Sequence, residues 1–197
     1  FGSGGGRDRP RGPVAEPVLA ADEGERSDET GEVEALDSGA PTAIDPARVE
    51  PPISEAEHKN RAAVTLANDG DLRAATELLR DARRLEPEND LYRTNLQAVL
   101  INDAFADLGA ERFREAIPRF TEALALGDRG EIRRGLGYAY YRTDSPELAR
   151  ANLERAIAED AGDAETYLTL GRIHLDRHEH ARALELLEQA VAAGAKQ

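Results

Sequence analysis

The feature that most constrains this chain is an internal repeat of small and large apolar residues. An alanine, a leucine or phenylalanine four residues later, and a second alanine three residues further on occur in this order four times. The copies are Ala75, Leu79 and Ala82; Ala116, Phe120 and Ala123; Ala149, Leu153 and Ala156; and Ala183, Leu187 and Ala190. Their first alanines are 41, 33 and 34 residues apart. Because residues three and four positions apart share one face of a helix, the repeat predicts successive helices that each bury one face.

A second pattern precedes these copies and predicts the partner helix of each. Leu136, Gly137 and Tyr140 recur one repeat later as Leu170, Gly171 and His174, and Ala62, Ala63 and Leu66 form a weaker version. The small residues allow two helices to approach closely. Turn signals separate the two patterns at Asp69-Gly70-Asp71, Gly109, Asp144-Ser145-Pro146 and His178. Ser145 is a natural N-cap, since Pro146 suits the first helical position.

The two patterns together resemble the tetratricopeptide repeat, a 34-residue helix–turn–helix unit. The resemblance covers residues 54–197 and implies an all-α fold, a right-handed α-solenoid of four helical hairpins behind an extended low-complexity arm in residues 1–53. The repeats are expected at residues 56–89, 90–129, 130–163 and 164–197. The 41-residue step predicts an elongated first helix in the second repeat, from about Leu91 to Leu108. Its extra turns are either a harmless extension or a ridge for contacts.

The segment before the repeats has a different composition. Residues 1–53 contain 12 acids and 5 arginines, with a glycine-rich lead and several prolines. Such a segment has too little apolar surface to offset its ordering entropy, so we expect an extended acidic arm. Its short apolar islands are candidates for contacts with a neighbouring copy: Val18, Leu19, Leu36 and Ile44.

Composition excludes several kinds of partner. The net charge is −14, so the chain repels a phosphate backbone and no nucleic-acid partner is expected. No apolar run approaches the roughly 18 residues that a membrane span requires. The chain has no cysteine and therefore no disulfide. A cysteine-free chain that begins at Phe1 with glycines is compatible with cleavage and export, so we expect an extracellular or periplasmic location over a cytoplasmic one.

Residues that could support catalysis or bind a metal show no recognisable arrangement. His174, His178 and His180 lie close in sequence, but no acid stands at ligand spacing from them, and no metal site is expected. No serine lies in a G-x-S-x-G motif, and no phosphate-binding glycine loop is present. We therefore predict a protein that is not an enzyme and binds no cofactor.

The resemblance implies that the first helix of each hairpin lines a concave, peptide-binding groove. Tyrosines and arginines there would anchor an extended or acidic peptide. The groove candidates are Arg134, Tyr138, Tyr141, Arg142, Arg172, Asp176 and Asn102. The carboxylate clamp of the family is not expected, because Val64 stands where an asparagine belongs and neither Lys59 nor Lys196 falls at a clamp position.

The last hairpin is expected to lack a capping helix. Leu184 and Val191 lie seven residues apart, on the face that a following repeat would cover. Identical subunits that stack head to tail form a ring or an open filament. The leading hypothesis is therefore a scaffold that assembles with copies of itself through the arm and these ends. The alternatives are a monomeric adaptor that binds a foreign peptide, and an accessory domain of a larger processed protein or enzyme.

Overall fold

The computed structural model describes residues 53–195, and it folds this part of the chain into helices and turns alone. The predicted all-α fold is confirmed. Each odd-numbered helix packs antiparallel on the next even-numbered one, and the resulting hairpins stack in sequence order. The helices are α1 (Glu55–Asn68), α2 (Leu72–Leu85), α3 (Asp90–Gly109), α4 (Phe113–Leu126), α5 (Gly130–Arg142), α6 (Pro146–Ala158), α7 (Ala164–Asp176) and α8 (His180–Gly194).

The repeated apolar residues form the centre of each hairpin. All nine residues of the first three copies are buried, and in the fourth copy Ala183 is buried while Leu187 and Ala190 are half-buried. The glycines of the second pattern explain the close approach within a hairpin. A Cβ atom on Gly137 would come within 2.6 Å of Leu153, and one on Gly171 within 2.9 Å of Leu187. The core thus consists of small residues on one helix against large residues on the other.

The four hairpin turns share one backbone conformation. Each has a residue with positive φ: Gly70 (89°), Glu111 (59°), Asp144 (60°) and His178 (62°). These residues are 41, 33 and 34 positions apart, as the alanines are. Ser145 occupies the N-cap position of α6, but its side chain makes no capping hydrogen bond.

The long helix α3 has 20 residues, where the other helices have 13 to 15. Its partner α4 ends opposite the second turn of α3, since Gln97 Nε2 donates to the Ala123 and Gly127 carbonyls at 2.9 and 2.6 Å. The first turn of α3 extends past this point and packs on the first hairpin. Tyr92 is buried there against Ala56 and Ala82. The additional length at this end therefore joins the first two hairpins.

A buried ion network fixes α4 against the other end of α3. The Asp107 side chain is fully buried, and Arg112 and Arg119 pair with its two oxygens at 2.7 and 2.6 Å. Arg119 also donates from Nε to Asp103 at 2.5 Å. Two cations offset the charge of the carboxylate that burial removes from water, and Arg112 also donates a hydrogen bond to its Oδ1, whereas Oδ2 accepts none.

The predictions for the arm lie outside the described residues, including those on Val18, Leu19, Leu36 and Ile44. The domain and repeat boundaries remain predictions. No described helix combines the length and apolar character that a bilayer crossing requires.

Candidate protein-binding surfaces

The odd-numbered helices form the inner surface of the solenoid. Helices α1, α3, α5 and α7 contact one another in turn, whereas α2, α4, α6 and α8 do not contact one another. Helices that touch across successive hairpins lie on the inside of the curve. Residues exposed on α5 and α7 are therefore placed where a bound chain would pass.

A cation–aromatic cluster lies where the second and third hairpins meet. The guanidinium carbon of Arg142 is 4.1 Å from the ring centroid of Phe113 and 5.7 Å from that of Tyr138. Arg142 also donates from Nη1 to the Tyr138 hydroxyl at 2.9 Å. The two rings meet edge to face at 6.1 Å. The structure thus brings together two predicted groove residues, Tyr138 and Arg142, and adds Phe113, which begins α4.

An open cleft of about 390 Å³ lies beside this cluster. Its lining contains two arginines and three acids: Glu111, Phe113, Arg114, Glu115, Arg142, Thr143 and Asp144. The cleft is bounded by the turns of two neighbouring hairpins. It can accept a polar side chain of a partner next to the aromatic rings.

Two arginines on this side of the molecule, Arg142 and Arg172, lack carboxylate partners. Most basic side chains of the described region form an ion pair. Among residues 53–195, five arginines have no carboxylate within 4.0 Å: Arg73, Arg83, Arg114, Arg142 and Arg172. Two of these, Arg142 and Arg172, are exposed on the inner helices. They are available to a carboxylate from another chain.

Glu165 on α7 interacts electrostatically with both of these arginines. Partial loss of water contact raises the pKa of its carboxyl, while the charges of Arg172 and Arg142 oppose that increase. The inner surface of α5 and α7 therefore carries two cations, Arg142 and Arg172, and one acid, Glu165, whose pKa is raised.

The remaining groove candidates have different surroundings. Arg134 pairs with Asp163 at 2.6 Å, and Asp163 also caps α7 by accepting from the Thr166 backbone N–H at 2.8 Å. Arg134 therefore joins α5 to α7. Tyr141 packs on the core cluster between the third and fourth hairpins.

Two further candidates lie at the margins of this surface. Asn102 is half-buried on α3, and Asp176 is exposed at the end of α7. Neither makes a side-chain hydrogen bond or ion pair with another described residue. The structure therefore brings together Tyr138 and Arg142 on α5, places Arg172 and Asp176 one turn apart on α7, and leaves Asn102 on α3.

The histidines of the fourth hairpin have separate environments. His174 is buried, and its Nδ1 lies 2.5 Å from Glu179 Oε2. His178 occupies the turn, with its ring centroid 6.1 Å from that of His180. Within residues 53–195, no group of three or more potential ligand residues could hold a metal ion.

A second surface lies on the outside of the fourth hairpin. We define the tail face as Leu175, Leu184, Leu187 and Val191. Leu175, Leu184 and Val191 are 41%, 59% and 74% exposed, and α8 contacts no described helix other than α7. In the preceding hairpin Leu175 and Val191 correspond to Tyr141 and Ile157, which pack on the core cluster between the third and fourth hairpins, whereas Leu184 corresponds to Arg150. Among the described residues the tail face is therefore an exposed surface that contains three aliphatic side chains.

The opposite end of the stack is polar. We define the head face as His58, Arg61, Ala62 and Thr65 of α1, all of which are exposed. Arg61 pairs with Glu57, and the Thr65 hydroxyl donates to the Arg61 carbonyl at 3.2 Å. The equivalent positions of α5 hold Ile132, Gly135, Leu136 and Ala139, which are buried. The head face therefore has the character of a solvent-facing cap.

Stacked helical hairpins with open surfaces define an α-solenoid, a class of protein that holds other protein chains. Two tetratricopeptide repeat models match the sequence, one over residues 104–164 and another over residues 144–197. The predicted resemblance to the tetratricopeptide repeat is thus confirmed over residues 104–197. Members of this family bind proteins or peptides and are typically not catalytic.

Solved structures of MamA have a similar fold. MamA AMB-1 aligns with a TM-score of 0.53 at 14% identity, covering 73% of this chain and 75% of that one. Another MamA crystal structure has a TM-score of 0.51 at 17% identity, with 72% and 80% covered. MamA from Desulfovibrio magneticus RS-1 has a TM-score of 0.49 at 19% identity, with 73% and 77% covered. At such identities the likeness concerns the fold alone. No curated protein matches the sequence.

Proposed function

We propose that this chain is a non-catalytic scaffold that assembles with copies of itself through the tail face. The observation that carries the proposal is the exposure of Leu184 and Val191. The preceding hairpin packs Ile157 on the core at the position of Val191 and has Arg150 at that of Leu184. Removing such side chains from water provides about 25 cal/mol for each Å² of apolar surface that a partner covers.

Charged substitutions on the tail face test the assembly. In the full chain, Leu184→Glu combined with Val191→Glu should abolish concentration-dependent association, because the contact would then bury two carboxylates. Sedimentation velocity over a range of concentrations measures this. Leu85→Glu is the matched control, since Leu85 is 45% exposed at the end of α2, away from the tail face. A wild-type chain that remains monomeric at every concentration would refute the proposal.

The arm makes a separate contribution to this proposal. Its apolar islands would lie against a neighbouring copy and strengthen a contact that begins at the tail face. A full chain with serine at Val18, Leu19, Leu36 and Ile44 should then associate more weakly than the wild type. Unchanged association in this variant would remove the arm from the proposal and leave the tail face in place.

A second candidate function is capture of an acidic peptide on the inner surface. The specific observation in its favour is the pair of exposed arginines without carboxylate partners, Arg142 and Arg172, in a chain of net charge −14. Phe113 and Tyr138 beside Arg142 would accept the apolar part of the peptide. A scaffold of this kind would hold a partner through its acidic, extended segments.

Fluorescence anisotropy with a labelled glutamate-rich peptide tests this second candidate. Arg142→Ala combined with Arg172→Ala should weaken binding about tenfold or more, because two charge-assisted contacts are lost. Tyr138→Ala should also weaken binding. Arg73→Ala is the matched control, as Arg73 is an exposed arginine of α2 that also lacks an acid partner. Equal affinity for a peptide with glutamine in place of glutamate would exclude recognition by these arginines.

A further inference from the structure

We propose that a groove on the outside of the first two hairpins binds a phosphate group, either free or carried by a small molecule. The groove lies between α2, α3 and α4 and has a volume of about 210 Å³. It is lined by Arg80, Arg83, Arg84, Leu96 and Glu122. This site is separate from the tail face and from the inner surface, so it goes beyond the proposed scaffold function.

The three arginines of this groove occur only in the first hairpin. In the repeat register, none of the corresponding positions of the later hairpins holds a basic residue. In place of Arg80, Arg83 and Arg84, the later hairpins have Thr121, Leu124 and Ala125; Glu154, Ile157 and Ala158; and Glu188, Val191 and Ala192. The packing of the repeat therefore does not require these arginines, and their convergence on one groove favours a ligand as the reason for them.

Arg83 is the residue that most clearly favours an anion in the groove. It is half-buried at a position where the next two hairpins pack Leu124 and Ile157 on the core. Among the described residues, its buried Nε has no hydrogen-bond partner, and no carboxylate lies within 4.0 Å of its guanidinium. Partial burial of a cation costs free energy unless an anion compensates its charge. A bound anion would provide that compensation.

The two neighbouring arginines are positioned by acids that use only part of their donors. Arg80 donates from Nε and Nη2 to the two oxygens of Glu122 at 2.9 and 2.6 Å, which holds its guanidinium between α2 and α4. Arg84 donates to Asp81 at 2.6 Å. Both guanidiniums keep further N–H groups for a ligand beside Arg83, and a phosphate group can accept from several guanidiniums at once. The net charge of −14 opposes a polyanion, so the groove suits a single phosphate group.

Thermal unfolding of the full chain tests this site. Saturating inorganic phosphate should raise the unfolding midpoint by about 2–4 °C over sodium chloride of equal ionic strength, because it binds only the folded chain. Arg83→Leu, with the residue that the second hairpin has here, should lose this increase and unfold at a higher temperature without phosphate. The comparison with Arg83→Leu also removes the general stabilisation that phosphate gives by exclusion from protein surfaces.

Two variants at exposed positions keep the test independent of core packing. Arg84→Ala should weaken the response to phosphate, and the later hairpins have alanine at this position. Arg73→Ala is the matched control, because Arg73 is an exposed arginine of α2 that does not line the groove. It should respond to phosphate as the wild type does.

Nuclear magnetic resonance of isotope-labelled protein detects binding without unfolding. The Nε–H signal of Arg83 should shift saturably with phosphate, and that of Arg73 should not. A stronger response to glycerol phosphate than to inorganic phosphate would assign the ligand to a phosphomonoester, and the reverse order would assign it to free phosphate. An equal response of the wild type and Arg83→Leu would overturn the site. An effect of acetate as large as that of phosphate would overturn the assignment to a phosphate group.

Discussion

Replacing Gly135 with alanine should destabilise the repeat domain by about 2–3 kcal/mol. A Cβ atom at this position would lie 2.3 Å from Cζ of Phe120 and within 3 Å of two further ring atoms. The ring has no room to withdraw, because Phe120 is fully buried and meets Phe105 edge to face at 5.1 Å. Overpacking therefore outweighs the helix propensity that alanine gains over glycine, about 1 kcal/mol. Urea unfolding followed by circular dichroism measures the change.

Two further variants isolate the clash as the cause of this loss. Gly109→Ala at the end of α3 is the matched control, since a Cβ atom there meets nothing within 4 Å. It should leave the free energy of unfolding unchanged or slightly raised. Shortening the partner with Phe120→Leu in the Gly135→Ala background should recover part of the stability. If Gly135→Ala and Gly109→Ala have the same free energy of unfolding, the described close packing of Phe120 of α4 on Gly135 of α5 is incorrect.

Replacing Arg119 with methionine should destabilise the domain by about 3–5 kcal/mol. The change keeps the apolar stem and removes one of the two cations on Asp107, whose carboxylate is fully buried. It also removes the hydrogen bond from Arg119 to Asp103. A buried carboxylate with half of its partners lost retains most of its desolvation cost. Thermal and urea unfolding measure the loss.

A surface ion pair provides the control for Arg119. Arg84→Met removes a partner of Asp81 at 2.6 Å, but the Arg84 side chain is 75% exposed, so the effect should be about 0–1 kcal/mol. Combining Arg119→Met with Asp107→Leu should be less destabilising than the two single changes added together, because no unpaired charge then remains in the core. Equal effects of Arg119→Met and Arg84→Met would contradict the buried network.

The stacking of the hairpins follows from sequence because the repeat fixes a register. Once Ala75, Ala116, Ala149 and Ala183 are aligned, the same steps locate the four residues with positive φ in the turns, which no composition rule for Glu111 or Asp144 would indicate. The long helix could also be predicted, since an insertion of about two turns keeps the buried stripe in phase. The packing of this helix on the first hairpin could not be predicted, because it depends on where α4 ends.

The inner surface was harder to predict because the contacts of its side chains are with residues far away in sequence. Arg134 and Arg142 look alike in sequence, yet Arg134 reaches Asp163 across the next hairpin while Arg142 stacks on Phe113 from the previous one. The Asp107 network was missed although Arg112 lies only five residues away, because the burial of Asp107 depends on how α4 packs on α3. The polarity of the head face follows from the sequence, since the repeat register gives Arg61 and Thr65 the positions that the buried Gly135 and Ala139 occupy in α5.

Hydrogen–deuterium exchange of the full chain, compared between dilute and concentrated solutions, tests most directly whether the molecule works through its tail face. We expect concentration to slow exchange in α8 and at the end of α7, and to leave exchange in α1 unchanged, because the second copy covers only the tail face. Exchange that is equal at both concentrations throughout α7 and α8 would contradict the account.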